Sequence, residues 1–145
     1  MKSVSKILLV DDEKDIHEII KAHLEKIEGI EVLSAYTGEA GVAQYRELFE
    51  KGERPVMVIM DLNLSGGEDI QTIDLHMKGK DNKMDGVRAA REILAMDPEA
   101  AIWGYTAWFG TPWAEKLKDA GTQKVVERTL PFRDFAKMVE KFLKK

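Results

Sequence analysis

Two short apolar runs in this chain each end in carboxylate. Ile7-Leu8-Leu9-Val10 is followed at once by Asp11-Asp12-Glu13, and Val56-Met57-Val58-Ile59-Met60 is followed by Asp61. Continuous apolar runs of this length suit strands buried on both faces, as in parallel α/β sheets. Ligands of such sheets bind outside the carboxyl ends of the strands. If the two strands are neighbours, Asp11, Asp12 and Asp61 meet at one edge. Taken singly, each Asp reads as a solvated strand end or a helix N-cap. A pair and a single on matched strands read instead as one cluster. Like charges so close raise one another's pKa. A hard cation with oxygen ligands relieves the crowding, and Mg²⁺ is the usual one where phosphate chemistry follows.

The rest of the chain is consistent with one small domain over residues 1–145. With 44% hydrophobic residues it can build a core, and with 33% charged residues it has a well-solvated surface. A net charge of −4 argues against bulk nucleic-acid binding. There is no cysteine, which excludes disulfides and thiolate metal sites and fits the cytoplasm. No apolar run suggests a signal peptide or a membrane span.

Strand and helix patterns alternate, as in βα units on a parallel sheet. Strands are expected at about 5–10, 31–35, up to Asp61, 101–106 and 124–127. The first helix places Ile16, Ile19, Ile20, His23, Leu24 and Ile27 at helical spacing, with Gly29 as its stop. The second starts at Thr37-Gly38-Glu39, with Ala40, Ala43, Leu48 and Phe49 facing inward. The next runs from about Asp85 to Met96 and ends at Asp97-Pro98. Another begins near Thr111-Pro112, and the last near Pro131.

The ordered motifs carry a family resemblance. Lys6 to Glu13 resembles the first strand and acidic pair of the response-regulator receiver domain. Val58-Ile59-Met60-Asp61-Leu62-Asn63-Leu64 resembles its phosphoacceptor strand. Met84-Asp85-Gly86 resembles the turn that opens the helix after it, and Tyr105-Thr106-Ala107 its hydroxyl-bearing strand end. The resemblance implies a doubly wound, five-stranded parallel sheet of flavodoxin-like order 2-1-3-4-5, with helices on both faces. It also implies phosphoryl transfer from the phosphohistidine of a sensor histidine kinase or histidine phosphotransfer protein onto Asp61. Asp12 and Asp61 would then hold Mg²⁺ directly, Asp11 through water, and Asn63 through its backbone carbonyl. Thr106 would donate to a phosphoryl oxygen, beside the small Ala107. The implied output is a switched surface for a downstream protein target, and no output domain is visible in the sequence.

The chain departs from the family pattern in two places. First, the family's phosphate-pairing Lys stands before a Pro at the end of the fifth strand. Counting from Ala120-Gly121 puts Arg128 there, whereas matching Pro131-Phe132 puts Leu130 there. Arg128 is favoured because it can still pair with phosphate, although its planar fork is aimed differently from an ammonium. Val125 falls where the family has an aromatic switch residue. Tyr105 and Trp108 flank Thr106 and offer an alternative aromatic, but read first as packing residues. Second, residues 67–83 form an insertion after the acceptor strand. The alternation of Ile73, Leu75 and Met77 with polar residues suggests partly extended chain, and Gly79 to Asn82 reads as a turn. Long loops in compact domains are often functional.

Among the histidines, His17 and His23 read as core or boundary residues of the first helix. His76 has a better claim to a role because it lies in the insertion. Lys137, Lys141, Lys144 and Lys145 read as the solvated face and end of the last helix. Two other functions fit parts of the pattern. One is a receiver-like interaction module that works without phosphorylation. The other is a phosphatase of the haloacid dehalogenase type, which needs a second acid where Asn63 stands.

Overall fold

The computed structural model describes residues 4–67 and 69–144, so Glu68 of the insertion and Lys145 lie outside the described residues. The elements follow in the order β1 (Ser5–Val10), α1 (Lys14–Leu24), β2 (Ile30–Ala35), α2 (Gly38–Glu50), β3 (Met57–Met60), α3 (Ile70–Met77), α4 (Gly86–Met96), β4 (Ile102–Thr106), α5 (Pro112–Asp119), β5 (Lys124–Glu127) and α6 (Phe132–Leu143). The five strands form one parallel sheet in the order β2-β1-β3-β4-β5. This is the flavodoxin-like arrangement expected from the motif order. No helix among the described residues is long and apolar enough to cross a membrane.

Side chains alternate across each strand, so each apolar run feeds two cores at once. Leu8, Val10, Val58 and Met60 pack with Val42 and Tyr45 of α2, Ile93 of α4 and Leu117 of α5. Ile7, Leu9, Met57 and Ile59 pack on the other face with Ile20 and Leu24 of α1 and Phe135 and Val139 of α6. Tyr105 is fully buried in this second core, stacked on Phe135 with ring centroids 3.9 Å apart. The packing role expected of it is therefore met.

Local signals set most helix starts. Thr37 accepts from Ala40 N–H, Asp85 from Arg88 N–H, and Thr111 from Ala114 N–H just ahead of Pro112. Three expectations need correction. The first is that Ile19 is 39% exposed and Ala43 is also exposed, while Val42 and Tyr45 take the inward places on α2. The second is that α1 ends at Leu24, so Ile27 lies beyond the helix, although it still packs against the second core. The third is that residues 73–77 are helical, not extended. Asp69 caps this helix, accepting from both the backbone N–H and the hydroxyl of Thr72. The buried pair Ile73 and His76 then falls at helical spacing. The expected turn after it is present. Gly79, at φ +75°, closes α3 with bonds from Gly79 N–H to the His76 carbonyl and from Lys80 N–H to the Leu75 carbonyl.

Candidate functional site

The register of β1 on β3 pairs Val10 with Met60, so the two strands end level. Asp61 N–H donates to the Val10 carbonyl and Asp11 N–H to the Ala35 carbonyl, which holds both exits in the plane of the sheet. Asp11, Asp12 and Asp61 each present a carboxylate oxygen, and all three oxygens lie within 4.8 Å of one another. Asp11 and Asp61 are buried, and Asp12 is half-buried at the rim. Burial and then the neighbouring Asp11 carboxylate push Asp61 well above the usual carboxylate range, against the pull of Arg128. Burial also raises Asp12; the Gly66 N–H opposes this and Asp11 adds to it.

Arg128 is the cation that faces this cluster. Its backbone N–H donates to the Thr106 carbonyl at the end of the β4–β5 ladder, which aims the side chain inward. One terminal nitrogen donates to Asp11 Oδ2 at 3.0 Å and to the Tyr105 carbonyl. The guanidinium lies over the Tyr105 ring, 4.7 Å from its centroid. Burial works against its charge, but Asp61 and Asp11 hold its pKa above the ordinary arginine value. Among the described residues, its Nε is the one buried side-chain donor without a partner. The structure thus brings Arg128, and not Leu130, to the cluster; the Leu130 carbonyl instead accepts from the Tyr105 hydroxyl.

Thr106 ends β4 fully buried, and its Oγ1 accepts from Trp108 N–H at 3.0 Å. That bond uses a lone pair and leaves the hydroxyl proton available for donation. Asn63 is buried, with its side chain committed to its own turn. Its Oδ1 accepts from both Ser65 N–H and the Ser65 hydroxyl, and its Nδ2 donates to the Gly67 carbonyl. The structure brings Asp61, Asn63, Ala107, Trp108, Glu13 and Arg128 around one cleft of about 320 Å³. A larger groove lined by Trp103, Lys124 and Phe142 lies at the opening end of β4 and β5, away from the carboxylates.

Sequence reasoning did not foresee several of the contacts that build this site. Gly86 opens α4 against the acceptor strand, where an added Cβ would clash with the Asp61 carbonyl oxygen. Gly66 N–H donates to Asp12 Oδ2 at 2.6 Å. His17, expected only as a core or boundary residue, is buried and holds the Asp11 carbonyl through Nε2 at 2.7 Å. His76 is fully buried and reaches the turn after Asp61, where its Nε2 accepts from Leu64 N–H. For His17 only the residue type hinted at such a role, and for His76 its place in the insertion, since their partners are distant in the chain or unmarked backbone.

The cluster fits a divalent cation. Three converging carboxyl groups face one guanidinium, and all the acidic donors are hard oxygens.

Solved structures of response regulators share this fold. A two-component response regulator of the LuxR family from Aurantimonas sp. SI85-9A1 is 26% identical; the match covers 98% of this chain and 86% of that one, with a TM-score of 0.73. The N-terminal domain of a response regulator/sensory box/GGDEF three-domain protein from Carboxydothermus hydrogenoformans is 28% identical, with coverages of 97% and 94% and a TM-score of 0.68. A CheY-like response regulator receiver domain protein from Methanospirillum hungatei JF-1 is 22% identical, with coverages of 98% and 95% and a TM-score of 0.73. No protein-family model matches the chain.

Proposed function

We propose that this chain, which has the receiver-domain fold of two-component response regulators, accepts a phosphoryl group on Asp61 and passes the change to a partner-binding surface. The supporting observation is the convergence of Asp11, Asp12 and Asp61 beside Arg128, with Asp61 and Arg128 lining one open cleft. The donor is the phosphohistidine of a sensor histidine kinase or a histidine phosphotransfer protein. An Asp61 carboxylate oxygen forms the new P–O bond as the P–N bond breaks, and the donor imidazole leaves with the electron pair. Such a transfer depends on positioning and charge neutralisation. Asp12, Asp61 and the Asn63 carbonyl would hold Mg²⁺ directly, and Asp11 through water. When bound, the ion supplies positive charge to the transferring phosphoryl oxygens.

The chain's own residues do the rest. Arg128 is drawn between Asp11 and the incoming phosphoryl group, and its unpartnered Nε is a donor for that group. Thr106 donates its hydroxyl proton to a phosphoryl oxygen. Ala107 leaves the space open, and Trp108 covers one side of the cleft.

Incubation with a small phosphodonor and Mg²⁺, followed by peptide mass spectrometry, tests the reading. One phosphoryl group is expected on the Asp61 peptide, and Asp61→Asn is expected to abolish it. Undiminished labelling of Asp61→Asn would refute the assignment.

One observation favours a second reading, an interaction module independent of phosphorylation. Arg128 already has partners in Asp11 and Tyr105, and the family's aromatic position holds Val125. A chain that stays unlabelled under every donor supports it. A phosphatase is disfavoured, because Asn63 stands where the second acid is needed and its amide is tied into the turn.

A further inference from the structure

We infer that His76 and Lys83, both supplied by the insertion, are positioning residues for the acidic site. They clamp the turn that holds Asp12 and carries Asn63. The inference rests on the proposed reading of the cluster as a metal and phosphoryl site.

The turn 62–67 leaves β3 directly after Asp61 and is gripped at consecutive residues. Leu64 N–H donates to His76 Nε2 at 3.1 Å, the Ser65 carbonyl accepts from Lys83 Nζ at 2.8 Å, and Gly66 N–H donates to Asp12 Oδ2 at 2.6 Å. Two of the three grips come from the insertion, and the third is the support of a proposed metal ligand.

The hydrogen-bond network assigns the tautomer of His76. Leu64 N–H can only donate, so Nε2 accepts, and the ring proton sits on Nδ1, facing Asp81 Oδ2 at 2.8 Å. The other Asp81 oxygen accepts from Lys83 N–H. Asp81 therefore orients both clamp residues, one through its ring and one through its backbone.

The far end of the clamp is anchored to α4. Arg88 is fixed by Asp85, and its Nη2 donates to the carbonyls of His76 and Lys83. A continuous set of hydrogen bonds thus runs from α4 through the insertion to the turn, and from the turn to Asp12. A fully buried imidazole is costly unless both nitrogens are satisfied. Here both are, and one of them is spent on the backbone beside the acceptor. Groups that orient ligands in this way typically contribute about ten- to a hundredfold to metal affinity.

The test is Mg²⁺ affinity, read by intrinsic tryptophan fluorescence because Trp108 lines the cleft. It is measured on the full chain well below the melting temperature, with melting followed separately in chelator. His76→Ala is expected to weaken Mg²⁺ binding about tenfold or more. His76→Gln, which keeps an acceptor toward Leu64, should recover most of the loss. Lys83→Met should show a smaller loss in the same direction. A purely structural role would lower the melting temperature and leave Mg²⁺ affinity alone. Parent-like affinity in folded His76→Ala overturns the inference. If that variant does not fold, parent-like affinity in both Asp81→Asn and Lys83→Met does so. Asp12→Ala, measured alongside, separates the two readings. If Asp12→Ala loses Mg²⁺ and the clamp variants do not, only the clamp falls. If Asp12→Ala also binds normally, the metal site falls and the clamp with it.

Discussion

Arg128 answers a buried carboxylate and a backbone carbonyl at once, so its removal is felt before any phosphoryl group arrives. Its ion pair with Asp11 is largely shielded, with the two side chains 15% and 1% exposed. Breaking such a pair by truncating one partner costs about 3 kcal/mol, because the other charge stays buried and unpaired. Arg128→Ala is therefore expected to lower metal-free stability by about that amount in urea unfolding. It should impair the response to phosphorylation more than it impairs Mg²⁺ binding. A loss confined to Mg²⁺ affinity would contradict the assignment. Gly86 makes a second residue-scale case. Its missing Cβ makes room for the Asp61 carbonyl, so Gly86→Ala must displace either the acceptor strand end or the start of α4. A loss of about 3 kcal/mol is expected, at the upper end for overpacking. Labelling of Asp61 should slow as well, and a parent-like variant in both measurements would show that the contact relaxes freely.

At the scale of elements, the insertion is the part of the chain that the family pattern does not supply. It contributes α3, whose Ile73 is 1% exposed, and the buried His76 with its half-buried partner Asp81. Replacing residues 67–83 with a short Ser-Gly link should leave the sheet folded, since loop closure depends only weakly on length. Losing the burial of Ile73 should cost about 2 kcal/mol. The same change should alter phosphorylation or dephosphorylation rates, or binding to the kinase. A shortened protein that matches the parent in rates and kinase affinity would show that the insertion is a surface ornament. The helix itself was legible in one place that periodicity passes over. Asp69 before Ile70, with Thr72 beyond, is a capping pattern, and it outweighs the apparent alternation of Ile73, Leu75 and Met77.

At the scale of the whole molecule, the burial of Asp61 and, after it, the neighbouring carboxylates make metal-free stability depend on pH. The folded-state pKa of Asp61 is raised, so above the ordinary carboxylate value the native state holds a proton that the unfolded state has lost. Stability therefore falls as pH rises from the unfolded pKa through the folded one. Asp61→Asn removes that contribution. In chelator the variant should be more stable than the parent at neutral pH, and the difference should vanish toward acid pH, where both side chains are neutral. Urea unfolding at a series of pH values checks this, and a variant less stable than the parent at neutral pH would count against the account by burial and crowding.

The sequence by itself determined the sheet and the identity of the acidic cluster. Both depend on patterns within a few residues: an apolar run sets a buried strand, and the residue after it must emerge at the strand's carboxyl end. Asp11, Asp12 and Asp61 were legible for that reason, whereas Thr106 and Arg128 were expected only through the family resemblance, Arg128 by its count from Ala120-Gly121. Only the tertiary structure decided what those residues touch. Arg128 meets Asp11 across 117 positions, and Gly66 meets Asp12 across 54. Both contacts exist because parallel strands distant in the chain end level on one edge. His76 and Lys83 bond to backbone groups, which every residue carries and which leave no mark in a sequence. Their contribution to the site is set by where α3 packs, a choice made by burial and hydrogen bonding together.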